Sequence, residues 1–147
     1  MKVIIADDNE GNISFLERIL AKVQNIEIIG KAKNGEEELE LIRKLKPDVV
    51  LTDNDMPKYK GIEVIEIIKN ENNDSTPIFI MISGDMGSEL MIKMRELKVD
   101  SFIRKPIDEK RLIEELEAII KEDEIPKTTF QNKKKQSIIE KILSKFK

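Results

Sequence analysis

Two kinds of hydrophobic pattern alternate along the chain. Lys2–Ala6, Ile26–Ala32, Val49–Thr52, Pro77–Ile82 and Ser101–Arg104 are short and rich in consecutive apolar residues. Such runs read as strands buried on both faces, as in a parallel sheet covered on each side. Between them the apolar residues recur every three or four positions, the period of a helix with one inward face. Ile13, Leu16, Leu20 and Val23 mark a helix from about Glu10 to Val23, and Leu39, Ile42 and Leu45 one over Gly35–Lys46. Ile65 and Ile68 mark a third over Gly61–Asn70. Leu90, Met91, Met94 and Leu97 mark a fourth over Ser88–Leu97, and Leu112, Leu116 and Ile119 a fifth over Asp108–Lys121. Asn9 and Asp108 are suitable N-caps, Asn34-Gly35 marks a turn, and Pro47 stops the second helix.

Five strand–helix units within residues 1–122 predict an α/β fold: a doubly wound five-stranded parallel sheet with helices on both faces. An eight-unit barrel would need about 250 residues. Doubly wound sheets bind ligands at the carboxyl ends of their strands, so the residues that follow each strand are the candidate site. Strand one is followed by Asp7-Asp8 and strand three by Asp53. Strand four is followed by Ser83-Gly84-Asp85 and strand five by Lys105-Pro106. Each has an ordinary structural reading: Asp8 as a helix cap, Ser83 paired with backbone, Lys105 in solvent. Their occurrence together at one rim of one sheet points to a site.

Composition narrows the chemistry. The 147 residues include no Cys and no His, so disulfides, thiolate nucleophiles, an imidazole base and sulfur- or nitrogen-ligated metals are all excluded. A metal here must be held by oxygen, which suits magnesium, manganese or calcium. Clustered carboxylates need a cation, and Mg²⁺ fits them. Lys105 and Ser83 could then grip a phosphoryl group, with ionised Asp53 as the nucleophile on phosphorus. Aromatic residues are only 4%, so Ile, Leu, Val and Met must fill the core.

The strand-end segments resemble a known family. Val3-Ile4-Ile5-Ala6-Asp7-Asp8-Asn9, Val49-Val50-Leu51-Thr52-Asp53-Asn54-Asp55-Met56-Pro57 with Gly61, Met81-Ile82-Ser83-Gly84, and Phe102-Ile103-Arg104-Lys105-Pro106 look like the receiver domain of bacterial two-component response regulators. The resemblance implies the flavodoxin-like receiver fold and a role for each position. Asp53 would accept a phosphoryl group from a sensor histidine kinase or a phosphotransfer protein. Asp8 and Asp53 would ligate Mg²⁺ (or Mn²⁺) directly, the main-chain carbonyl of Asp55 would add a ligand, and Asp7 would act largely through water. Ser83 would hydrogen-bond the phosphoryl oxygens and Lys105 would pair with them. Phe102 would be the switch aromatic, and Lys105–Pro106 a cis peptide. The implied output surface is the fourth helix, fifth strand and fifth helix, facing a downstream protein or a second copy. Ser83 stands where Thr is commoner, Gly84 where Ala is common and Lys60 where an acid is usual. The acids Asp55 and Asp85 flank the site and would modulate how water reaches an acyl phosphate. On this reading the chain is a switch that assists its own phosphorylation rather than a turnover enzyme.

Two alternatives come from other classes. Asp53-x-Asp55 after four apolar or polar strand residues also looks like the nucleophile motif of haloacid-dehalogenase phosphatases, with Asp55 as general acid. That family, however, places the motif near the N-terminus and its acid pair after the lysine. The other alternative is the N-terminal fragment of a longer transcriptional regulator.

The net charge of −3 is unevenly spread. Residues 124–147 carry seven lysines and two glutamates, net +5, against −8 for residues 1–123. We expect a linker over 123–136 and a basic amphipathic helical tail over 137–147. Ser137–Glu140 has the form of a capping box, and Ile138, Ile139, Ile142, Leu143 and Phe146 share one face. A helix of about ten residues is marginal alone, so the tail would dock on its own domain or a neighbour's. It is too short for a helix-turn-helix, and DNA is not an expected partner of this chain alone. The longest apolar run, Ile78–Ile82, falls far below the ~20 residues of a membrane span or the ~7–15 of a secretory signal core. A cytoplasmic location with no membrane partner is the expectation.

Overall fold

The computed structural model describes residues 1–71, 75–85, 87–124 and 145. Ten elements alternate: β1 (Lys2–Ala6), α1 (Glu10–Leu20), β2 (Glu27–Ala32), α2 (Gly35–Leu45), β3 (Val49–Asp53), α3 (Gly61–Asn70), β4 (Ile78–Ser83), α4 (Ser88–Glu96), β5 (Ser101–Arg104) and α5 (Glu109–Glu124). The strands pair in parallel in the order β2-β1-β3-β4-β5. This is the doubly wound sheet that the alternating pattern predicts.

Period-two alternation along the strands sorts the core into two layers. Val3, Ile5, Val49, Leu51, Ile80 and Ile82 face α1 and α5, where Ile13, Leu16, Leu20, Leu112 and Leu116 meet them. Ile4, Val50, Phe79 and Met81 face the opposite way, toward Leu39, Ile42, Ile62, Ile65, Leu90 and Met94 of α2, α3 and α4. Because helices cover both faces, β3 is buried at every residue and β4 at every residue after Ile78, hence their continuous apolar runs.

The two expected N-caps, Asn9 and Asp108, form, and Asn34, read from sequence as part of a turn, caps α2 as well. Asn9 Oδ1 accepts from the Asn12 N–H (3.0 Å), Asn34 Oδ1 from Glu37 (2.9 Å) and Asp108 Oδ1 from Arg111 (3.2 Å). Several boundaries differ from expectation by one to three residues; helix α5 runs on to Glu124, so residues 123 and 124, expected in the linker, are helical. Helix α1 stops at Leu20 rather than Val23, because the Lys22 and Val23 amides bond back three residues, to Ile19 and Leu20, in a tighter turn. Val23 is nonetheless buried. Strands β3 and β4 each run one residue further than expected, so Asp53 and Ser83 belong to the ladder, paired with Ile82 and Arg104. Two site residues thus sit on rigid backbone rather than on loops. The tail helix expected over 137–147, and the linker before it from residue 125, lie outside the described residues, Lys145 apart.

Candidate functional site

The sheet order reverses between β1 and β3, and the crevice at that switch point is where such sheets bind ligands. Asp7 and Asp8 follow β1, and Asp53 ends β3. Their three carboxylates each bring an oxygen within 4.8 Å of the others. Asp7 and Asp53 are buried, 2% and 5% exposed, while Asp8 faces solvent.

Such a cluster is costly unless cationic and dipolar groups answer it. Lys105 Nζ, beyond β5, lies 3.3 Å from Asp7 Oδ2 and 3.4 Å from Asp53 Oδ2. The Asp55 N–H donates to Asp53 Oδ1 (3.3 Å). Asp7 Oδ1 accepts from the Asn9 N–H at 2.9 Å, and Asn12 Nδ2 lies 3.3 Å from both of its carboxylate oxygens. Burial nevertheless holds the Asp53 carboxyl above its ordinary range; Lys105 and the Asp55 amide oppose that effect and the charge of Asp7 adds to it. Burial also works against the Lys105 ammonium, but Asp53 and Asp7 outweigh it, and its pKa is raised. The Lys105–Pro106 peptide is cis, as the resemblance implies.

Ser83 ends β4, between Asp53 and Lys105 in the order of the sheet. It is fully buried, and its Oγ accepts from the Asp85 N–H (3.1 Å), a bond that does not use its hydroxyl hydrogen. The Asp85 carboxylate is turned to the Gly87 N–H (2.7 Å) and is exposed. The Asp55 side chain is exposed as well. Phe102 lies away from the rim: it is buried in the layer with Phe79 and Met81, and its carbonyl accepts from Arg111 Nη2 (2.9 Å), which ties β5 to α5.

Sequence reading missed the roles of three supporting residues, although Asn54 and Gly61 stand in the motif that carries the family resemblance. Asn54, buried, accepts from the Ile62 N–H (3.0 Å) and fixes the loop after β3 to the start of α3. Gly61 is required sterically, since a Cβ there would stand 2.4 Å from the Asp53 carbonyl oxygen and 2.8 Å from Thr52 Oγ1. Glu38 on α2 is completely buried; its Oε2 lies within hydrogen-bond distance of Thr52 Oγ1 (3.1 Å), while its Oε1 has no partner among the described residues. Burial pushes Glu38 up to about 8, with the Thr52 hydrogen bond opposing and the Asp53 charge reinforcing the shift. The helical stripe Gly35, Glu38, Leu39, Ile42 was the available signal, because it puts Glu38 among the inward residues.

The all-oxygen cluster suits a hard divalent cation. The doubly wound sheet thus gathers acids at the ends of β1 and β3, a hydroxyl at the end of β4 and a lysine after β5 around one crevice, the ligand-binding position of such α/β domains. The chain belongs to the response regulator receiver domain family, which it matches over residues 3–117. It is 41% identical over 106 residues to a protein-glutamate methylesterase/protein-glutamine glutaminase of Lawsonia intracellularis, a match that takes in 71% of this chain but only 29% of that protein. Among solved structures it resembles the N-terminal domain of an uncharacterized protein from Wolinella succinogenes, with 33% identity, a TM-score of 0.72, and 81% of this chain and 93% of that one covered. It also resembles the response regulator domain of Thermotoga maritima CheB, with 29% identity, a TM-score of 0.70, and 82% and 94% covered. A third likeness is to a chain of the CheX-CheY-BeF3-Mg+2 complex of Borrelia burgdorferi, with 26% identity, a TM-score of 0.73, and 82% and 89% covered. No helix among the described residues is long and apolar enough to cross a membrane.

Proposed function

We propose that this receiver is a phosphorylation-controlled switch with Asp53 as its phosphoacceptor. The observation that carries the reading is the setting of Asp53: a buried carboxylate at the end of a rigid strand, with Lys105 3.4 Å away and two further acids beside it. A carboxylate oxygen of Asp53 attacks the phosphorus of a phosphohistidine on a sensor kinase or phosphotransfer protein. The new O–P bond forms as the N–P bond breaks, and the electron pair leaves on the imidazole nitrogen. Lys105, which neutralises Asp53 before transfer, pairs with the phosphoryl oxygens afterwards, and the Ser83 hydroxyl donates to one of them.

Asp8 and Asp53 would hold Mg²⁺ or Mn²⁺ with their side chains, Asp55 with its carbonyl, and Asp7 largely through water. When bound, the ion supplies positive charge that offsets the carboxylates and the incoming phosphoryl oxygens. Asp55 and Asp85, both solvent-facing, modulate how water reaches the aspartyl phosphate.

Movement of the Ser83 hydroxyl toward the phosphoryl group is relayed to Phe102, one strand away, and through the Phe102–Arg111 bond to α5. The output surface is then α4, β5 and α5, facing a downstream protein or a second copy. Ile92, 54% exposed on α4, is an apolar contact already on that surface. The location is cytoplasmic, where a kinase's phosphohistidine would be met. Stoichiometric labelling by a small phosphodonor separates this switch from the phosphatase alternative: one lasting label per chain supports the switch, and steady phosphate release without a labelled protein contradicts it.

A further inference from the structure

Behind the phosphoacceptor strand lies a polar contact that the reaction above does not use. Thr52 precedes Asp53, so period-two alternation turns it away from the site, to the face shared by Val50. There its hydroxyl meets two acceptors. Glu38 Oε2 is 3.1 Å away and the main-chain carbonyl oxygen of Asp53 3.3 Å away. One hydroxyl carries one hydrogen, so it cannot donate to both. A proton on Glu38 Oε2 lets both contacts form at once: donated to Thr52 Oγ1, it frees the Thr52 hydrogen for the Asp53 carbonyl.

The surroundings favour that neutral form. Glu38 is fully buried, its other oxygen has no partner among the described residues, and the charge that acts on it is the carboxylate of Asp53 on β3. Its neighbours on the inward face of α2, Leu39 and Ile42, pack in the apolar layer with Ile4, Val50 and Ile62. Nor can the Asp53 carbonyl shift freely, since Gly61 closes on both it and Thr52 Oγ1 with no room for a Cβ.

Resting on the assignment of Asp53 as phosphoacceptor, we propose that Glu38 is a positioning residue: held as a neutral acid, it locks the Thr52 hydroxyl onto the Asp53 carbonyl and so fixes the backbone that aims the phosphoacceptor. The contact also pins the first turn of α2 to the end of β3. The Gly35 N–H does the same for the loop after β3 by donating to the Pro57 carbonyl (3.2 Å). One helix terminus therefore steadies both the strand and the loop that present Asp53 and Asp55.

The test compares wild type with Glu38→Gln, Glu38→Leu, Thr52→Val and the Leu/Val double variant. Labelling rate is measured with a small phosphodonor at saturating Mg²⁺, with Mg²⁺ affinity and urea unfolding alongside. Glutamine keeps a donor for Thr52, so Glu38→Gln should label within about twofold of wild type. Glu38→Leu removes the donor that holds Thr52 Oγ1 in place and Thr52→Val removes the hydroxyl itself, so each should slow labelling about five- to tenfold, the scale of one hydrogen bond. The double variant should be no slower than the slower single one, because both break the same contact. Leucine removes a buried unpartnered polar group, so Glu38→Leu should unfold at no lower urea concentration than wild type, which separates slow labelling from a damaged fold. Labelling of Glu38→Leu at the wild-type rate, or of Glu38→Gln as slowly as Glu38→Leu, overturns the proposal. If wild type itself takes no label on Asp53, it is the phosphoacceptor assignment that fails.

Discussion

Lys105 Nζ reaches 3.4 Å from Asp53 Oδ2 although their strands, β5 and β3, are separated by β4. The lysine therefore spans the end of β4, where Ser83 sits, and the phosphoryl group would be received between them. Because the ammonium is one of the groups that lower the Asp53 pKa, Lys105→Met should let that carboxyl titrate higher still. It should also slow labelling at least about tenfold, since a charge-assisted pair to the phosphoryl oxygens is lost. A carboxyl-detected NMR titration of Asp53 together with labelling kinetics checks both. An unchanged Asp53 titration would contradict the coupling seen in the structure.

Asp8 is the exposed member of the acid cluster, so its removal separates metal binding from folding. Asp8→Ala should weaken Mg²⁺ binding at least about tenfold. It should leave urea stability equal or higher, because one source of repulsion with Asp7 and Asp53 is gone. Labelling of wild type should likewise cease in excess chelator.

Glu38 makes stability depend on pH with a defined sign. Its folded pKa, about 8, stands above the ordinary glutamate value. Below that ordinary value both folded and unfolded chains hold the proton, and the full stability is present. As pH rises the unfolded chain releases its proton first, so stability falls by up to about 1.4 kcal/mol per unit until the folded pKa is passed. Glu38→Gln abolishes this slope. Urea unfolding should show the variant gaining on wild type from pH 5 to pH 8, by a few kcal/mol at the upper end. A difference that does not change with pH would contradict the buried neutral acid.

Gly61→Ala should be severe for its size. The added methyl would meet the Asp53 carbonyl oxygen at 2.4 Å, and backbone cannot yield as a flexible side chain does. A loss of about 1–3 kcal/mol is expected, the usual cost of overpacking a closely fitted site. Gly84→Ala, where a Cβ meets nothing within 4 Å, is the matched control and should change stability little.

The fold was legible because both of its periodicities are written in large apolar residues, and the site because its residues follow strands. Asp7, Asp8, Asp53 and Lys105 come together as their positions after β1, β3 and β5 require. Less legible was what depends on contacts between distant elements. Glu38 looks like one more acid in a run with Glu36 and Glu37, and only the packing of α2 on β3 distinguishes it. Asn54 and Gly61 likewise gain their roles from the fold of the loop after β3, which hydrophobic periodicity does not encode. Strand ends were misjudged by a residue at Asp53 and Ser83 because polar side chains there suggested loops, whereas backbone pairing continues past them.

The phosphoacceptor assignment is tested most directly by peptide mapping of the labelled protein, wild type beside Asp53→Asn, with a small phosphodonor and Mg²⁺. The account predicts one phosphoryl group per wild-type chain, on the peptide that holds Asp53, and none on a folded Asp53→Asn protein. Label on Asp53→Asn at the wild-type level, or wild-type label mapped to another residue, would contradict it.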